Sequence, residues 1–240
     1  MVDRSGDRAD EVRRLFNTRA AAWSAFYAPG GDFAGRLALF AALITKHVTA
    51  GGRMLDLGCG TGEIARAGAA AGLQVTGCDI SELMLRSAIS RDPQREVEWV
   101  QLGTQWRRLP FSTGSFDAVV AASVLEYVDE PAVVLSECAR ILRPGGLLAC
   151  TVPDPRHPVR WLESVVTPCA RMPGVCVATR RWPRLENHMT YLQTSRQRHM
   201  ARWWRAAAQQ AGLDPVPRPV NTGGYSRLRL LTFKRPHEGD

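Results

Sequence analysis

The chain shows two kinds of hydrophobic pattern, one typical of helices and one typical of strands. Apolar side chains recur every three or four residues in segments 10–23 and 33–49, which predicts two amphipathic helices. From Gly51-Gly52 onward, short apolar runs alternate with further helical segments. The apolar runs predict strands at residues 53–57, 73–78, 97–102, 116–122 and 147–152. The helical segments cover residues 63–71, 81–90 and 131–142, with Ser81 as an N-cap.

Strands that alternate with helices predict a parallel sheet built through right-handed crossovers. Beyond Pro153 the pattern becomes irregular and rich in Pro, Arg and Trp. A last helix is predicted over residues 195–211, followed by two strands over residues 213–217 and 227–234. We therefore expect an α/β fold: a Rossmann-like doubly wound sheet, mostly parallel, with an antiparallel C-terminal hairpin strand and a helical N-terminal cap.

Composition excludes several classes of protein. The 240 residues are 45% hydrophobic and 22% charged, as in an ordinary globular domain. The longest apolar runs, at residues 38–44 and 118–125, fall well short of a membrane span of roughly 20 residues, and residues 1–10 lack the apolar stretch of a signal peptide. The six cysteines form no CxxC pair and no zinc-type cluster with histidine. These features predict a cytoplasmic protein with no metal site and no membrane span.

Positive charge is concentrated in the last third of the chain, and the net charge is +8. A field of this kind attracts anionic substrates, membrane surfaces or RNA. Because net charge describes association rather than chemistry, we interpret the basic residues first as a solvated surface.

The chemically informative segment is LDLGCGTGE at residues 55–63, followed by Asp79. A predicted strand here enters a turn of small residues and then a helix. Without a Cβ, Gly58 and Gly60 let the backbone approach a ligand closely. The next helix presents its free N–H groups at the same crevice. Asp79 ends the second strand, where a carboxylate can accept hydrogen bonds from both hydroxyls of a ribose.

Five ordered motifs of the chain resemble those of the class I S-adenosylmethionine (SAM)-dependent methyltransferases. They are LDLGCGTG (55–62), GCDIS (77–81), LPFSTGSFDAVV (109–120), VLEYV (124–128) and LRPGGLL (142–148). The resemblance is close over residues 50–152 and general in the flanks. It implies a methyltransferase with SAM as its cofactor.

The glycine spacing separates this resemblance from two other nucleotide-binding patterns. A nicotinamide dehydrogenase would show G-x-G-x-x-G, whereas this chain has G-x-G-x-G. A P-loop requires Gly-Lys followed by Ser or Thr, which this segment lacks.

The resemblance also implies roles for residues of the turn and the second strand. Asp56 would position the methionine part of SAM, and Asp79 would bind the ribose. Gly58, Gly60 and Gly62 would line the cofactor.

Further along, Ile80 would pack against the adenine, and Ser123 would lie beneath the methionine and the sulfonium.

One element departs from the family. A Gly-Asp-Ala element, whose Asp contacts the adenine amino group, is often present before the LPF motif but is absent here. Thr104, Gln105 or a backbone carbonyl is a candidate to replace it, and Trp106 would either cover the adenine or serve as a packing anchor.

The sequence contains fewer signals for the methyl acceptor than for the cofactor. Methyl transfer to oxygen usually needs a base that removes the acceptor's proton. His157 follows the fifth strand and His188 lies in the segment after it, so both are candidate catalytic bases. Glu126 and Tyr127, just after the fourth strand, are further candidates.

We expect a small-molecule methyltransferase, with oxygen favoured as the methylated atom. One alternative is a tRNA or protein methyltransferase that uses the basic C-terminal third, although no RNA-binding module or Asn-Pro-Pro-Tyr-like motif is present. The other is a non-catalytic SAM-binding protein, for which the altered adenine segment leaves room. Neither the acceptor nor the oligomeric state follows from the sequence.

The chain is predicted to form one methyltransferase domain in four parts. These are a helical lid (1–50), the SAM-binding core (51–153), an inserted substrate-covering segment (154–195) and the last helix with the edge strands (196–240). Phe16, Trp23, Phe26 and Tyr27 of the lid either suit a flat or apolar acceptor or form a small core of their own.

Overall fold

The computed structural model describes residues 4–31, 33–158, 163, 182–217 and 228–237. For residues 4–7 and 183–188 it describes the backbone alone.

Within these residues, seven strands form one sheet. They are β1 (Arg53–Leu57), β2 (Gln74–Asp79), β3 (Val97–Gln101), β4 (Phe116–Ala122), β5 (Leu142–Pro153), β6 (Asp214–Pro215) and β7 (Leu228–Lys234). Their order across the sheet is β3-β2-β1-β4-β5-β7-β6. The strands from β1 to β5 pair in parallel, whereas β7 runs antiparallel to both β5 and β6. This confirms the predicted mostly parallel sheet with an antiparallel C-terminal hairpin.

The α-helices of the described residues lie between and around these strands. They are α1 (Arg4–Trp23), α2 (Ala34–His47), α3 (Glu63–Ala70), α4 (Glu82–Ser90), α5 (Pro131–Ile141), α6 (Pro183–Thr194) and α7 (Ala201–Gln210), with a short 3₁₀ helix at Ser24–Tyr27. The Ser81 hydroxyl accepts the N–H of Met84 and caps α4, as the sequence predicts. Pro131 occupies the first turn of α5, where its missing N–H costs nothing.

The core lies on both faces of the sheet because successive strand residues point in opposite directions. Leu55, Val119 and Leu148 belong to one buried cluster, whereas their neighbours Met54 and Ala118 belong to the other. Helices α5 and α7 cover the first face, and α2 and α3 cover the second. This two-sided burial explains why the strands read as continuous apolar runs.

The predicted helix over residues 195–211 is wrong in its first part. The described helix α7 begins at Ala201, and α6, which the sequence analysis did not predict, ends at Thr194. Between them, the backbone N–H groups of Arg196 and Gln197 donate to the carbonyl oxygen of Glu126. These tertiary hydrogen bonds replace the intrahelical ones that a continuous helix would need.

The fifth strand is longer than predicted. β5 begins at Leu142, which pairs with Phe116, and the register shifts before Leu147 pairs with Ala118. Gly145 has φ of +76°, which suits the irregular stretch Arg143–Gly146. Within the described part of the chain, no helix is long and apolar enough to cross a membrane.

Two neighbouring tryptophans of α7 provide a test of this packing. Trp204 is fully buried in the core, whereas Trp203 is 37% exposed and stacks on His199. We expect Trp204→Ala to lower the free energy of unfolding by about 3–5 kcal/mol, because it leaves a large cavity. The matched variant Trp203→Ala should lower it by less than about 1 kcal/mol. Urea unfolding of both variants measures the difference, and equal losses would contradict the packing of α7.

Candidate active site

A large cavity opens at the carboxyl ends of the parallel strands. Its volume is about 1240 Å³, more than the roughly 300–1,000 Å³ of an ordinary ligand pocket. Strand ends and the residues after them supply part of the lining, including Leu57, Asp79, Leu102, Ala122 and Ser123. Helices α1 and α2 supply the opposite wall. The position is the one at which open α/β sheets bind ligands.

The turn after β1 is held against the end of β2. The backbone N–H groups of Gly58 and Cys59 donate to the carbonyl oxygen of Cys78, at 2.7 and 3.0 Å. Gly58 has φ of +68°, and a Cβ there would lie 2.4 Å from a methyl carbon of Val124. Gly60 has φ of +55°, and a Cβ there would lie 3.2 Å from the Trp23 ring. Both glycines line the cavity, and both positions require glycine.

Gly62 is placed differently from the other two glycines. It is the N-cap of α3 with φ of +82°, and a Cβ there would lie 2.4 Å from the Trp99 ring. It is not among the residues that line the cavity. The positive φ and the nearby Trp99 ring both require glycine at this position, and the predicted contact of Gly62 with the cofactor stays a prediction.

Asp79 is fixed by the backbone of this turn. One carboxylate oxygen accepts the N–H of Gly60 at 2.9 Å, and the other accepts the N–H of Ser81 at 2.8 Å. Burial raises the pKa of Asp79, and these backbone N–H groups oppose the rise. Because a carboxylate oxygen can accept more than one hydrogen bond, Asp79 can still receive donors from the cavity that it lines.

Asp56 lines the same cavity from β1. It is almost completely buried, and its Oδ2 atom has no hydrogen-bond partner among the described residues. Burial raises the pKa of Asp56 to about 7, and a hydrogen bond from the backbone of Ala65 acts in the opposite direction. A buried acceptor without a partner at the wall of a cavity marks a place for a ligand's donor group.

Arg36 is a cavity residue that the sequence analysis missed. It projects from α2, is almost completely buried and lies 3.8 Å above the Phe33 ring. Its guanidinium donates to the Ser123 hydroxyl at 2.9 Å and to the Tyr27 hydroxyl at 2.8 Å. Its Nε atom has no partner among the described residues. One sequence signal was present: Arg36 precedes Phe40 by four residues, on the buried face of α2.

Ser123, which holds Arg36, has an unusual backbone. Its φ is +58°, a left-handed value that non-glycine residues seldom adopt. Its N–H donates to the hydroxyl of Thr151 on β5 at 2.9 Å, which anchors the strained turn. Strain of this kind clusters at functional sites.

A second part of the cavity is apolar. Ile80, Leu102 and Trp106 line it, together with Thr104 and Gln105 of the segment that lacks the family's Asp. A flat apolar group such as an adenine ring suits this lining.

The remaining wall is aromatic. Phe16 of α1 packs edge to face against Trp23 and against Tyr127, with ring centroids 5.5 and 5.0 Å apart. Tyr191 of α6 and the buried carboxylate of Glu126 line the same cavity.

The structure describes the two histidines that are predicted as bases to different extents. His157 lies in the turn after β5, where its backbone N–H donates to the carbonyl oxygen of Asp154 at 3.0 Å. It is not among the residues that line the cavity. His188 belongs to α6, and its side chain lies outside the described residues. No group of three or more His, Cys, Asp or Glu side chains in the described part of the chain is arranged to hold a metal ion.

Comparisons with known proteins agree with this geometry. A family model described as a methyltransferase domain matches residues 55–150. The ubiquinone biosynthesis O-methyltransferase of Xanthomonas oryzae pv. oryzae is 32% identical over 182 residues, which is 75% of this chain and 71% of that protein.

The chain belongs to the class I SAM-dependent methyltransferases.

Two further similarities place this methyltransferase among its relatives. The demethylmenaquinone methyltransferase of Tropheryma whipplei is 35% identical over 154 residues, which is 63% of each chain. The crystal structure of the magnesium protoporphyrin IX methyltransferase of Synechocystis PCC 6803 with bound S-adenosylhomocysteine (SAH) has a TM-score of 0.68 at 20% identity. That comparison covers 93% of this chain and 98% of the other. The predicted fold, enzyme class, small-molecule type and SAM cofactor are thereby confirmed.

The role of Asp79 can be tested by binding of the demethylated cofactor SAH. Asp79→Asn keeps the shape of the side chain but removes its charge. We expect SAH affinity to fall by about 100-fold or more, since each hydrogen bond to a charged group contributes about 1.5–3 kcal/mol. Calorimetric titration measures the loss. Asp92→Asn is the matched control, because Asp92 also accepts two backbone N–H groups but does not line the cavity. Unchanged affinity in Asp79→Asn would refute the ribose assignment.

The raised pKa of Asp56 predicts a pH-dependent affinity. The carboxyl is mostly neutral below its pKa of about 7 and charged above it. If Asp56 positions the methionine part of the cofactor, as the family resemblance implies, its charged form attracts the ammonium group of that part. SAH affinity should then rise between about pH 6 and about pH 8, by at most about tenfold per unit. Titration of Asp56→Asn should show a flat profile over the same range. A flat profile in the unmodified enzyme would contradict contact between Asp56 and the ammonium group.

Proposed function

We propose that this methyltransferase transfers its methyl group to the hydroxyl oxygen of a flat aromatic acceptor such as a phenol or catechol. The observation that carries the proposal is the aromatic wall of the cavity formed by Phe16, Trp23, Tyr127 and Tyr191. Aromatic side chains bind a planar ring through edge-to-face and stacked contacts. The similarity to ubiquinone biosynthesis O-methyltransferases supports the same acceptor class and the same attacked atom.

The cavity also has groups that match the parts of SAM. We assign Asp79 to the ribose hydroxyls and the unpartnered Oδ2 atom of Asp56 to the ammonium group. The Arg36 guanidinium, with its unpartnered Nε atom, suits the carboxylate of the methionine part. Ile80 and Trp106 suit the adenine. The observed donors and acceptors therefore fit the cofactor.

When bound, SAM supplies an electrophilic methyl group carried by a sulfonium. The protein's task is to align the acceptor behind that methyl group and to keep water out. Helix α1 can do both, because Phe16, Arg19 and Trp23 line the cavity from the side opposite the sheet. This supports the predicted helical lid (1–50). The SAM-binding core (51–153), the substrate-covering segment (154–195) and the last helix with the edge strands (196–240) stay predictions, and most of the substrate-covering segment lies outside the described residues.

The acceptor atom is the part of the proposal that fold similarity does not decide. The crystal structure of a [4+2]-cyclase has a TM-score of 0.63 to this chain, so the same fold occurs with other chemistry. The demethylmenaquinone methyltransferase relatives raise a ring carbon as the competing acceptor atom. The aromatic wall and the buried carboxylate of Glu126 suit both, because either reaction releases a proton from the acceptor. The similarity to the O-methyltransferases therefore carries the choice of oxygen.

We infer a cytoplasmic location from the state of the cysteines. Cys59, Cys78, Cys138 and Cys150 are free thiols buried in the core, as is usual in a reducing compartment.

Product analysis tests the proposed reaction. The enzyme is incubated with SAM carrying an isotope-labelled methyl group and with catechol or protocatechuate. We expect the label in a methoxy group, identified by its NMR shift, and no product from veratrate, which has no free hydroxyl. Label on a ring carbon would make the enzyme a C-methyltransferase. Failure to label any phenolic acceptor would contradict the proposal.

A further inference from the structure

A buried carboxylate beside the aromatic wall has no role in the proposed cofactor site. Glu126 follows β4, is only 2% exposed and lines the cavity. Its Oε2 atom accepts a hydrogen bond from the Ser195 hydroxyl at 2.6 Å. The Tyr191 hydroxyl lies 3.5 Å from the same oxygen. Burying a carboxylate is costly unless hydrogen bonds compensate it, so these contacts hold Glu126 in place.

The backbone of Glu126 is held as firmly as its side chain. Its carbonyl oxygen accepts the N–H groups of Arg196 and Gln197, at 3.1 and 3.3 Å. The Gln197 side chain also donates to the carbonyl oxygen of Val128 at 3.0 Å. The first residues of the irregular segment between α6 and α7 are thus attached to the residues after β4. Such a shell keeps a catalytic group in one orientation.

Other charged and titratable groups surround Glu126. Helix α1 contributes Arg8 and Arg19, which lie near Asp129 and Tyr127 respectively. Arg8 is paired with Asp129, and it also donates to the carbonyl oxygen of Thr194 at 3.2 Å. The segment after α6 contributes two arginines. Arg198 is paired with Glu163 at 3.7 Å, and Arg196 is exposed. Of these arginines, Arg19 lines the cavity, where its positive charge favours a developing phenolate.

We infer that Glu126 is the general base that removes the proton from the acceptor's hydroxyl, with Ser195 and Tyr191 as positioning residues. The inference rests on the proposed function, because it requires a hydroxyl acceptor. It assigns a catalytic role to a residue that the sequence analysis named only as a further candidate after the histidines.

The step balances as a proton transfer coupled to a displacement. The acceptor's O–H bond breaks, and the proton moves to the Glu126 carboxylate. The freed electron pair on oxygen forms a bond to the methyl carbon as the bond from that carbon to sulfur breaks. The products are a methoxy group and a neutral thioether, and the protonated carboxyl then returns its proton to water.

Nitrocatechol tests this assignment without turnover, because its visible absorption changes when a hydroxyl ionises. The probe is mixed with the SAH-bound enzyme at a pH where the free probe is mostly neutral. We expect the spectrum of the ionised form on the unmodified enzyme and the neutral spectrum on Glu126→Gln. Gln is isosteric and can still accept the Ser195 hydroxyl, so folding and SAH affinity should be preserved. Glu130→Gln, which removes an exposed carboxylate at the cavity rim, should behave like the unmodified enzyme.

Steady-state kinetics with an acceptor that the enzyme methylates provide the second readout. Glu126→Gln should lower kcat by about 10²–10⁴-fold, the usual contribution of a general base. In this variant, the fall of kcat/KM at low pH (the acid limb of its pH profile) should disappear. Ser195→Ala should keep that limb but move it to higher pH, because it removes a hydrogen bond that favours the charged carboxylate. A merely structural Ser195 would leave the limb in place.

The possible failures are distinguishable. If nitrocatechol binds and ionises equally on the unmodified enzyme and on Glu126→Gln, Glu126 is not the base, although the phenolic acceptor stands. If nitrocatechol does not bind to the SAH-bound enzyme at all, the proposed acceptor class falls, and the assignment of Glu126 falls with it.

Discussion

The hydrogen bond from the Gly60 N–H to the Asp79 carboxylate sets the geometry of the site. It joins the turn after β1 to the end of β2, and the bonds from Gly58 and Cys59 to the Cys78 carbonyl reinforce that junction. Because the turn is bound on this side, Gly58 and Gly60 lie at the rim of the sheet and line the cavity to which α1 and α2 also contribute. This junction buries two carboxylates, those of Asp56 and Asp79, and burial raises the pKa of each. A ligand that brings hydroxyl donors and a cation to these oxygens offsets the cost of burying them.

Much of the fold was predictable because it is local in sequence. β1 and β4 have the predicted bounds, and Ser81 caps α4 through a hydrogen bond to a residue three positions away. The error at residues 195–200 has the opposite cause. That segment is shaped by hydrogen bonds to Glu126, about 70 residues earlier, and no local pattern reports such contacts.

The same distinction applies to the site. The predicted cofactor residues lie in a single strand-turn-helix-strand unit and just after β3 and β4, so motif order places them together. All except Gly62 line the cavity. Arg36 was missed because its partners, Tyr27 and Ser123, become neighbours only when α2 packs over the sheet. The case for Glu126 depends on its contacts with Ser195 and Tyr191, which also lie in a distant part of the sequence. The acceptor side is therefore a product of tertiary structure, and the roles of His157 and His188 stay predictions.

Direct titration of the unmodified protein with SAH, compared with NAD under the same conditions, tests the central claim most directly. The account predicts saturable binding of one SAH molecule per chain and no detectable binding of NAD, because the turn after β1 is built for an adenosyl amino acid. Absence of SAH binding by the folded protein would contradict it, and so would NAD binding of comparable strength.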